Sequence, residues 1–259
     1  MAGPAICVGT SGWNYGHWTR LFYPEELPRS RWLAYYQSKF DTLELNASFY
    51  RLPQASTFVR WQQNSPAGFL WAVKAYRGIT HFARLGEREP LQKFLAAVEG
   101  LSSRLGVILF QLPPSLRFDA RVVARFLGWL PEGRRYAIEP RHASWFEPQA
   151  LKLLERSGVA LCIAESGGRF PSGEQLTAEF VYLRFHGWEQ LYASRYSRPQ
   201  LRAWAERLVE WNRPAFVYFN NDFHAYAVQN ALELRQELSR LLGRATQQKA
   251  RAQRAGAGG

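Results

Sequence analysis

Eight short runs rich in β-branched, aromatic and other apolar residues recur along the chain, and helical patterns separate most of them. They cover residues 5–9, 41–46, 69–75, 105–112, 135–140, 160–165, 180–187 and 215–222. Most are continuously apolar rather than alternating, the pattern of parallel strands covered on both faces. Strand–helix alternation repeated eight times favours closure into a ring over an open sheet. The expected fold is therefore α/β, a single TIM-type (β/α)8 barrel, with a doubly wound sheet as the alternative.

The helices between the runs are read from their apolar faces. Trp32, Leu33, Tyr36 and Phe40 share one face behind a candidate cap at Ser30, and Val122, Val123, Phe126 and Leu127 share another behind Asp119. Weaker helices fit residues 56–63, 91–102 and 149–157; clearer ones fit 201–208 and 228–241. The sixth crossover, around Gly167-Gly168-Arg169-Phe170-Pro171, carries no helical pattern, so its helix is expected to be short or missing. Helix-to-strand connections are short. Strand-to-helix connections are long, roughly residues 10–29, 76–90, 141–148 and 188–199. Long loops in a compact domain are uncommon unless functional, and a barrel gathers these on one rim.

With 47% apolar and 21% charged residues in 259, the chain can bury a sizeable core. No apolar run reaches the roughly 18 residues of a membrane span, so no membrane partner is expected. The start lacks the basic, apolar and cleavage-site order of a signal peptide, and a cytoplasmic location is the expectation. Cys7 and Cys162 lie in apolar runs outside any C-x-x-C pair and read as small buried hydrophobes. The net charge is +12, and Arg244, Lys249, Arg251 and Arg254 carry part of it in an Ala/Gly/Gln-rich tail. The domain reading is a barrel over residues 1–243 followed by a basic, disordered tail over 244–259. A basic body attracts anions, nucleic acid included, although an Arg-rich composition alone produces the same surface.

Chemistry in a barrel sits where the strands end. The second run closes Glu44-Leu45-Asn46, the third carries Lys74 and the fourth Gln111. The fifth carries Glu139 with Arg141, the sixth Glu165, the seventh Arg184 with His186, and the eighth Asn220-Asn221-Asp222. Residues two apart share a face, so Glu44 aligns with Asn46 and Arg184 with His186. Carboxylates among apolar residues require partners or shift their pKa. Two readings follow. The cluster lines a ligand site, or Glu44–Lys74 and Glu139 with Arg141 or Arg184 are ion pairs that close the barrel interior. Asp222 reads first as a helix cap.

All five histidines (His17, His81, His142, His186 and His224) fall on strand ends or rim loops, where imidazole can act as acid, base or ligand. Together with Glu44, Glu139 and Asp222 they could compose a hydrolytic metal centre. No two stand at a local ligand spacing such as H-x-x-x-H, so no metal ligand is assigned and the cofactor stays open, a divalent metal being one option. Aromatic residues crowd the same loops and, with Arg51, Arg77, Arg141 and Arg195, suit stacking on a base or sugar ring.

These motifs resemble the domain of unknown function 72 family, the YecE-like proteins. The resemblance is carried by Gly9-Thr-Ser-Gly-Trp13, His17-Trp18, Phe22-Tyr-Pro24, Glu44-Leu-Asn-Ala-Ser-Phe-Tyr-Arg-Leu-Pro53 and Lys74-Ala-Tyr-Arg-Gly-Ile-Thr-His81. It continues through Phe110-Gln-Leu-Pro-Pro114, Glu139-Pro-Arg-His142 with Trp145-Phe146, Arg184-Phe-His-Gly187 and Tyr218-Phe-Asn-Asn-Asp222. The resemblance implies a TIM-type barrel and assigns no activity. Pro140 stands where the family usually has an aromatic residue, and Glu165 where it often has Asp.

The functional expectation is a hydrolase or lyase acting on an anionic phosphate- or sugar-bearing substrate, nucleic acid included. Its acid–base groups are Glu44, Glu139 and His186. Asn46, Lys74, His81, Gln111, Arg141, His142, Arg184, Asn220, Asn221 and Trp13 bind the substrate. The alternative is a non-catalytic nucleic-acid-binding module that uses the basic surface and tail.

Overall fold

The computed structural model describes residues 5–256, with side chains through Gly243. The strands are β1 (Ile6–Thr10), β2 (Thr42–Leu45), β3 (Leu70–Lys74), β4 (Leu105–Gln111), β5 (Tyr136–Glu139), β6 (Ala160–Leu161), β7 (Ile163–Glu165), β8 (Val181–Phe185) and β9 (Ala215–Phe219). The α-helices are α1 (Trp32–Lys39), α2 (Ala47–Tyr50), α3 (Ala55–Gln63), α4 (Arg88–Val98), α5 (Ala120–Leu127), α6 (Pro148–Arg156), α7 (Arg198–Trp211) and α8 (Tyr226–Gly256). The tail expectation, residues 244–259, lies outside the residues described with side chains.

Every ladder is parallel, and hydrogen bonding sorts the strands into two sheets, β1-β9-β8-β7 and β2-β3-β4-β5-β6. The sixth expected run is thereby two strands. Its first half pairs with β5 and its second half with β8, and the Thr177 side chain explains the break. Its hydroxyl accepts from Leu161 N at 2.8 Å and donates to Val159 O at 2.7 Å, occupying ladder positions beside β6. The other seam lies between β1 and β2. There the Tyr36 hydroxyl accepts from Thr10 N at 2.9 Å and donates to Thr42 O at 3.1 Å. Gly9 is required at this seam, because a Cβ would stand 2.4 Å from Thr42 O. One isolated parallel bridge, Ser11 to Glu44, crosses it.

Both faces of the strands are buried, as the continuous apolar runs anticipate. One face packs against the helices through residues such as Val73, Ile108, Phe110 and Ile138. The other holds a smaller cluster of Ala72, Val107, Leu109, Ala137, Ala160, Cys162, Tyr182, Phe216 and Tyr218. Small alanines on β3, β5 and β6 leave room for the large rings of β8 and β9.

Helix starts follow local chemistry. Asp119 caps α5 as expected, its Oδ1 accepting from Arg121 N at 2.9 Å and Val122 N at 3.0 Å. Ser30 does not cap α1: it lies inside a 3-10 turn, Arg29–Arg31, that leads into the helix. Asp222 does not cap a helix with its side chain either. It is drawn to the loop after β1, accepting from Trp18 Nε1 at 2.6 Å and lying 3.0 Å from His17 Nε2. Between β7 and β8, residues 166–180 form no helix.

Candidate functional site

Continuing the helix-free face by steps of two toward the carboxyl ends leads from Thr42 to Glu44, Ala72 to Lys74, Leu109 to Gln111, Ala137 to Glu139, Tyr182 to Arg184 and Tyr218 to Asn220. The apolar cluster is thus roofed by one layer of polar side chains. Arg184 is its centre, with 1% of its surface exposed. Its Nη2 donates to Glu44 Oε1 at 2.8 Å and its Nη1 to Glu139 Oε2 at 2.5 Å, so one guanidinium ties β8 to both β2 and β5. Ser11 Oγ and Tyr182 Oη, each at 2.6 Å, complete the donors to Glu44.

Glu139 Oε1 meets Arg141 Nη2 at 2.5 Å and His186 Nε2 at 3.0 Å. Burial would push the Glu139 carboxyl upward, but Arg184, Arg141 and His186 together hold it well below the usual carboxylate range. Burial, reinforced by Arg184 and Arg141 and opposed by Glu139, lowers His186 to about 4. His186 is therefore a neutral imidazole near pH 7. Its Nε2–H donates to Glu139 while Nδ1 accepts from Asn220 Nδ2 at 3.2 Å.

Four cationic donors of this layer have no protein partner, one of them Arg184 Nε. Arg141 spends Nη2 on Glu139 but leaves Nε and Nη1 buried and unpaired, under the ring of Phe170 at 3.5 Å. The Lys74 amine makes no ion pair among the described residues and lies 4.0 Å over the Phe49 ring. Burial first, then Arg184 and Arg141, lower its pKa to about 7 against the opposing pull of Glu139 and Glu44. The layer offers unsatisfied cations and one unpaired acceptor, Asn46 Oδ1. This arrangement can take up an anion with a polar group attached.

The expected residues separate into two groups. Glu44, Glu139, Arg141, Arg184, His186 and Asn220 form one bonded network, and Lys74 feels the charges of four of them. Asn46 joins through Ser11 O at 3.4 Å, and Gln111 lies beside Glu139 in register while donating to Leu112 O. His81 adjoins Lys74 across Phe49. Trp13, in contrast, packs edge-on against Trp61 and Trp71, whose rings belong to the helix side of the strands. Asn221 turns toward α8 and bonds Asn230 Oδ1 at 2.9 Å. His142 caps the turn Ala143–Phe146 by accepting from Ser144 N. The postulated Glu44–Lys74 ion pair does not form, whereas Glu139 pairs with both arginines.

Ser11, Tyr182 and Phe170 complete the site without having been singled out for it, together with Phe49, one of the rim aromatics expected to stack on a ligand. Tyr182 was within reach of the period-two argument, since it stands two residues before Arg184. Phe170 carries no local signal, coming from the crossover that lacks a helix. Among the described residues no group of three or more His, Cys, Asp or Glu is placed to hold a metal ion. No helix among them is long and apolar enough to cross a membrane. A cavity of about 500 Å³ lies beyond Phe170, lined also by Glu165, Trp188, Trp204 and Arg207.

Three similarities place the chain among known proteins. It is 29% identical to the UPF0759 protein YunF of Bacillus subtilis (strain 168), over 88% of this chain and 93% of that protein. It superposes on a DUF72 family protein from Thermotoga maritima MSB8 with a TM-score of 0.80 at 30% identity, covering 91% and 99% of the two chains. A DUF72 family protein from Enterococcus faecalis V583 shares the fold, with a TM-score of 0.79 at 21% identity over 90% and 95%. The family model described as "Protein of unknown function DUF72" matches residues 7–254, and the chain belongs to that family.

Proposed function

We propose that this protein is an enzyme of the lyase or hydrolase type that acts on a small anionic substrate bearing a phosphate or carboxylate. The site is the carboxyl-end mouth of a closed eight-stranded barrel. Closure is supported by the Ser11–Glu44 bridge at one seam and by the unbroken chain through Cys162 at the other. A single guanidinium bonded across both sheets supports it further.

The observation that carries the reading is the set of cationic donors without partners in this layer, Arg141 Nε and Nη1, Arg184 Nε and the Lys74 amine. Buried polar groups are nearly always satisfied, so such donors together are a place where a ligand supplies the acceptors. In this reading Glu44 and Glu139 keep Arg184 and Arg141 charged and aimed. His186 positions Glu139, and Lys74 with His81 exchanges protons with the substrate. That departs from an acid–base role for the two carboxylates, whose oxygens are already engaged by neighbouring donors.

Thermal unfolding with inorganic phosphate tests the reading. A ligand at 100 times its Kd stabilises the native state by about 2.7 kcal/mol, which is about 5–10 °C in Tm for a chain of this size. Wild type should show this rise, and Arg141→Met should abolish it. An equal rise in both proteins, or none in wild type, sinks the proposal. Tight, steeply salt-dependent binding of single-stranded DNA without any phosphate response would favour the nucleic-acid-binding module instead.

A further inference from the structure

We propose that Lys74 is a covalent nucleophile whose amine condenses with the carbonyl group of a small anionic aldehyde or ketone to form an imine. This deepens, and rests on, the anion-binding reading above.

The cations of the layer are not equivalent. Arg184 bonds two carboxylates and Arg141 one, while Lys74 bonds none although Glu44 and Glu139 are near enough to act on it. A lysine kept merely to neutralise buried carboxylates would be expected to reach them. Both carboxylates are already served, and two guanidinium charges stand nearby. A third cation is therefore disfavoured there, and the amine carries its lone pair for much of the time near neutral pH. The Phe49 ring lies under the amine and, although its face favours a cation, it supplies no carboxylate or other hydrogen-bonding acceptor that would fix the ammonium in place.

The main chain that carries this amine is firmly held. Lys74 ends β3, paired with β4 at Leu109, and its carbonyl accepts from Ser48 Oγ at 2.6 Å. The same short helix, α2, that supplies Ser48 supplies Phe49, so the ring and the main chain of Lys74 are tied to one turn. On the far side of Phe49 stands His81, its ring centroid 5.0 Å from that of Phe49. Thr80 Oγ1 holds His81 Nδ1 at 2.8 Å, and Nε2 has no protein partner among the described residues. Burial, with the charges of Lys74 and Arg77, lowers the His81 pKa and leaves a neutral imidazole that can carry a proton either way.

The chemistry then balances without a further reactant. The anionic group of the substrate takes Arg141 Nε and Nη1. The Lys74 lone pair attacks the carbonyl carbon, and the carbonyl π pair moves onto oxygen. A proton leaves nitrogen and one reaches that oxygen by way of solvent, with the His81 imidazole near enough to feel the charge of the amine, giving a carbinolamine. Loss of this hydroxyl as water forms the carbon–nitrogen double bond. Amine plus carbonyl becomes imine plus water, with no change in oxidation state. The imine is an electron sink for carbon–carbon cleavage or proton removal at the adjacent carbon.

Trapping by reduction tests the proposal. The full chain is incubated at pH 7 with glycolaldehyde phosphate and sodium cyanoborohydride, and the product is analysed by intact mass and peptide mapping. The chain holds five lysines, Lys39, Lys74, Lys93, Lys152 and Lys249, which serve as internal controls. An ordinary lysine at pH 7 is neutral to less than one part in a thousand and Lys74 to about half, so a preference for Lys74 of roughly 1,000-fold is expected. Excess inorganic phosphate should suppress the adduct, and Arg141→Met should lower its yield at least about tenfold. Labelling spread over the lysines according to their exposure overturns the covalent role. If phosphate still raises Tm in that case, anion binding stands and only the imine fails. If phosphate also has no effect, both readings fall.

Discussion

Replacing Arg184 by Met keeps most of the volume of the side chain and removes the one cation shared by Glu44 and Glu139. Arg184 is 1% exposed and bonds those carboxylates at 2.8 and 2.5 Å. Removing one partner of a buried pair typically costs about 3–5 kcal/mol, because the remaining charge is stranded. Two carboxylates lose a donor here, but each retains others: Arg141 and His186 at Glu139, Ser11 and Tyr182 at Glu44. The expected loss is therefore about 4 kcal/mol, out of a total stability of about 5–15 kcal/mol. Urea unfolding followed by tryptophan fluorescence measures it at pH 7.5 and pH 5. In the wild type, Glu139 is held well below the ordinary carboxylate range. Its contribution is complete above that range and is lost only as pH falls toward the folded value. In the variant the weakened cation field lets Glu139 take up a proton at higher pH, so the gap to wild type should narrow by about 1 kcal/mol or more at pH 5. A loss under about 1 kcal/mol, or a gap that is unchanged or wider at pH 5, would refute the network as described.

Two further outcomes follow from the same geometry. His186 is lowered to about 4 by burial, so the unfolded chain binds its proton more readily and stability falls with pH below about 6.5. That amounts to about 2 kcal/mol between pH 7 and pH 5. His186→Gln should flatten this slope in denaturant titrations, and an unchanged slope would show that His186 is charged in the folded protein. Asp119→Ala removes the acceptor for two backbone N–H groups at the start of α5 and should cost about 1 kcal/mol; a change within the error of urea melts would show that solvent satisfies those groups equally well.

How much of this was legible in the sequence depends on whether the signal was local. Strand positions and parallel pairing came from runs such as Val107–Phe110, where both faces are buried and no alternation interrupts the pattern. The conjunction of Glu44, Glu139 and Arg184 came from reading the carboxyl ends of parallel strands as one rim, and the period of two added only the alignments within each strand. The partition into two sheets was not legible, because it depends on hydroxyls arriving from elsewhere in the chain. Tyr36 enters one seam from α1 and Thr177 the other from the crossover. Loop side chains were the least readable. Trp13 and Asn221 lie next to strand ends in sequence, but a turn of one residue decides which side of the sheet each faces. Trp13 fell in with Trp61 and Trp71, and Asn221 with Asn230.

Phe170 is contributed by a stretch of chain that never commits to regular secondary structure. It lies over Arg141 on one side and walls a cavity of about 500 Å³ on the other. A partition built from such a stretch can be redrawn by insertion, deletion or substitution without moving a single strand. On the proposed reading, relatives that keep the charged layer unchanged can therefore differ in how far a substrate extends past Arg141. Diversity of substrate size within the family should track the length and composition of this one connection more closely than any change in the layer beneath it.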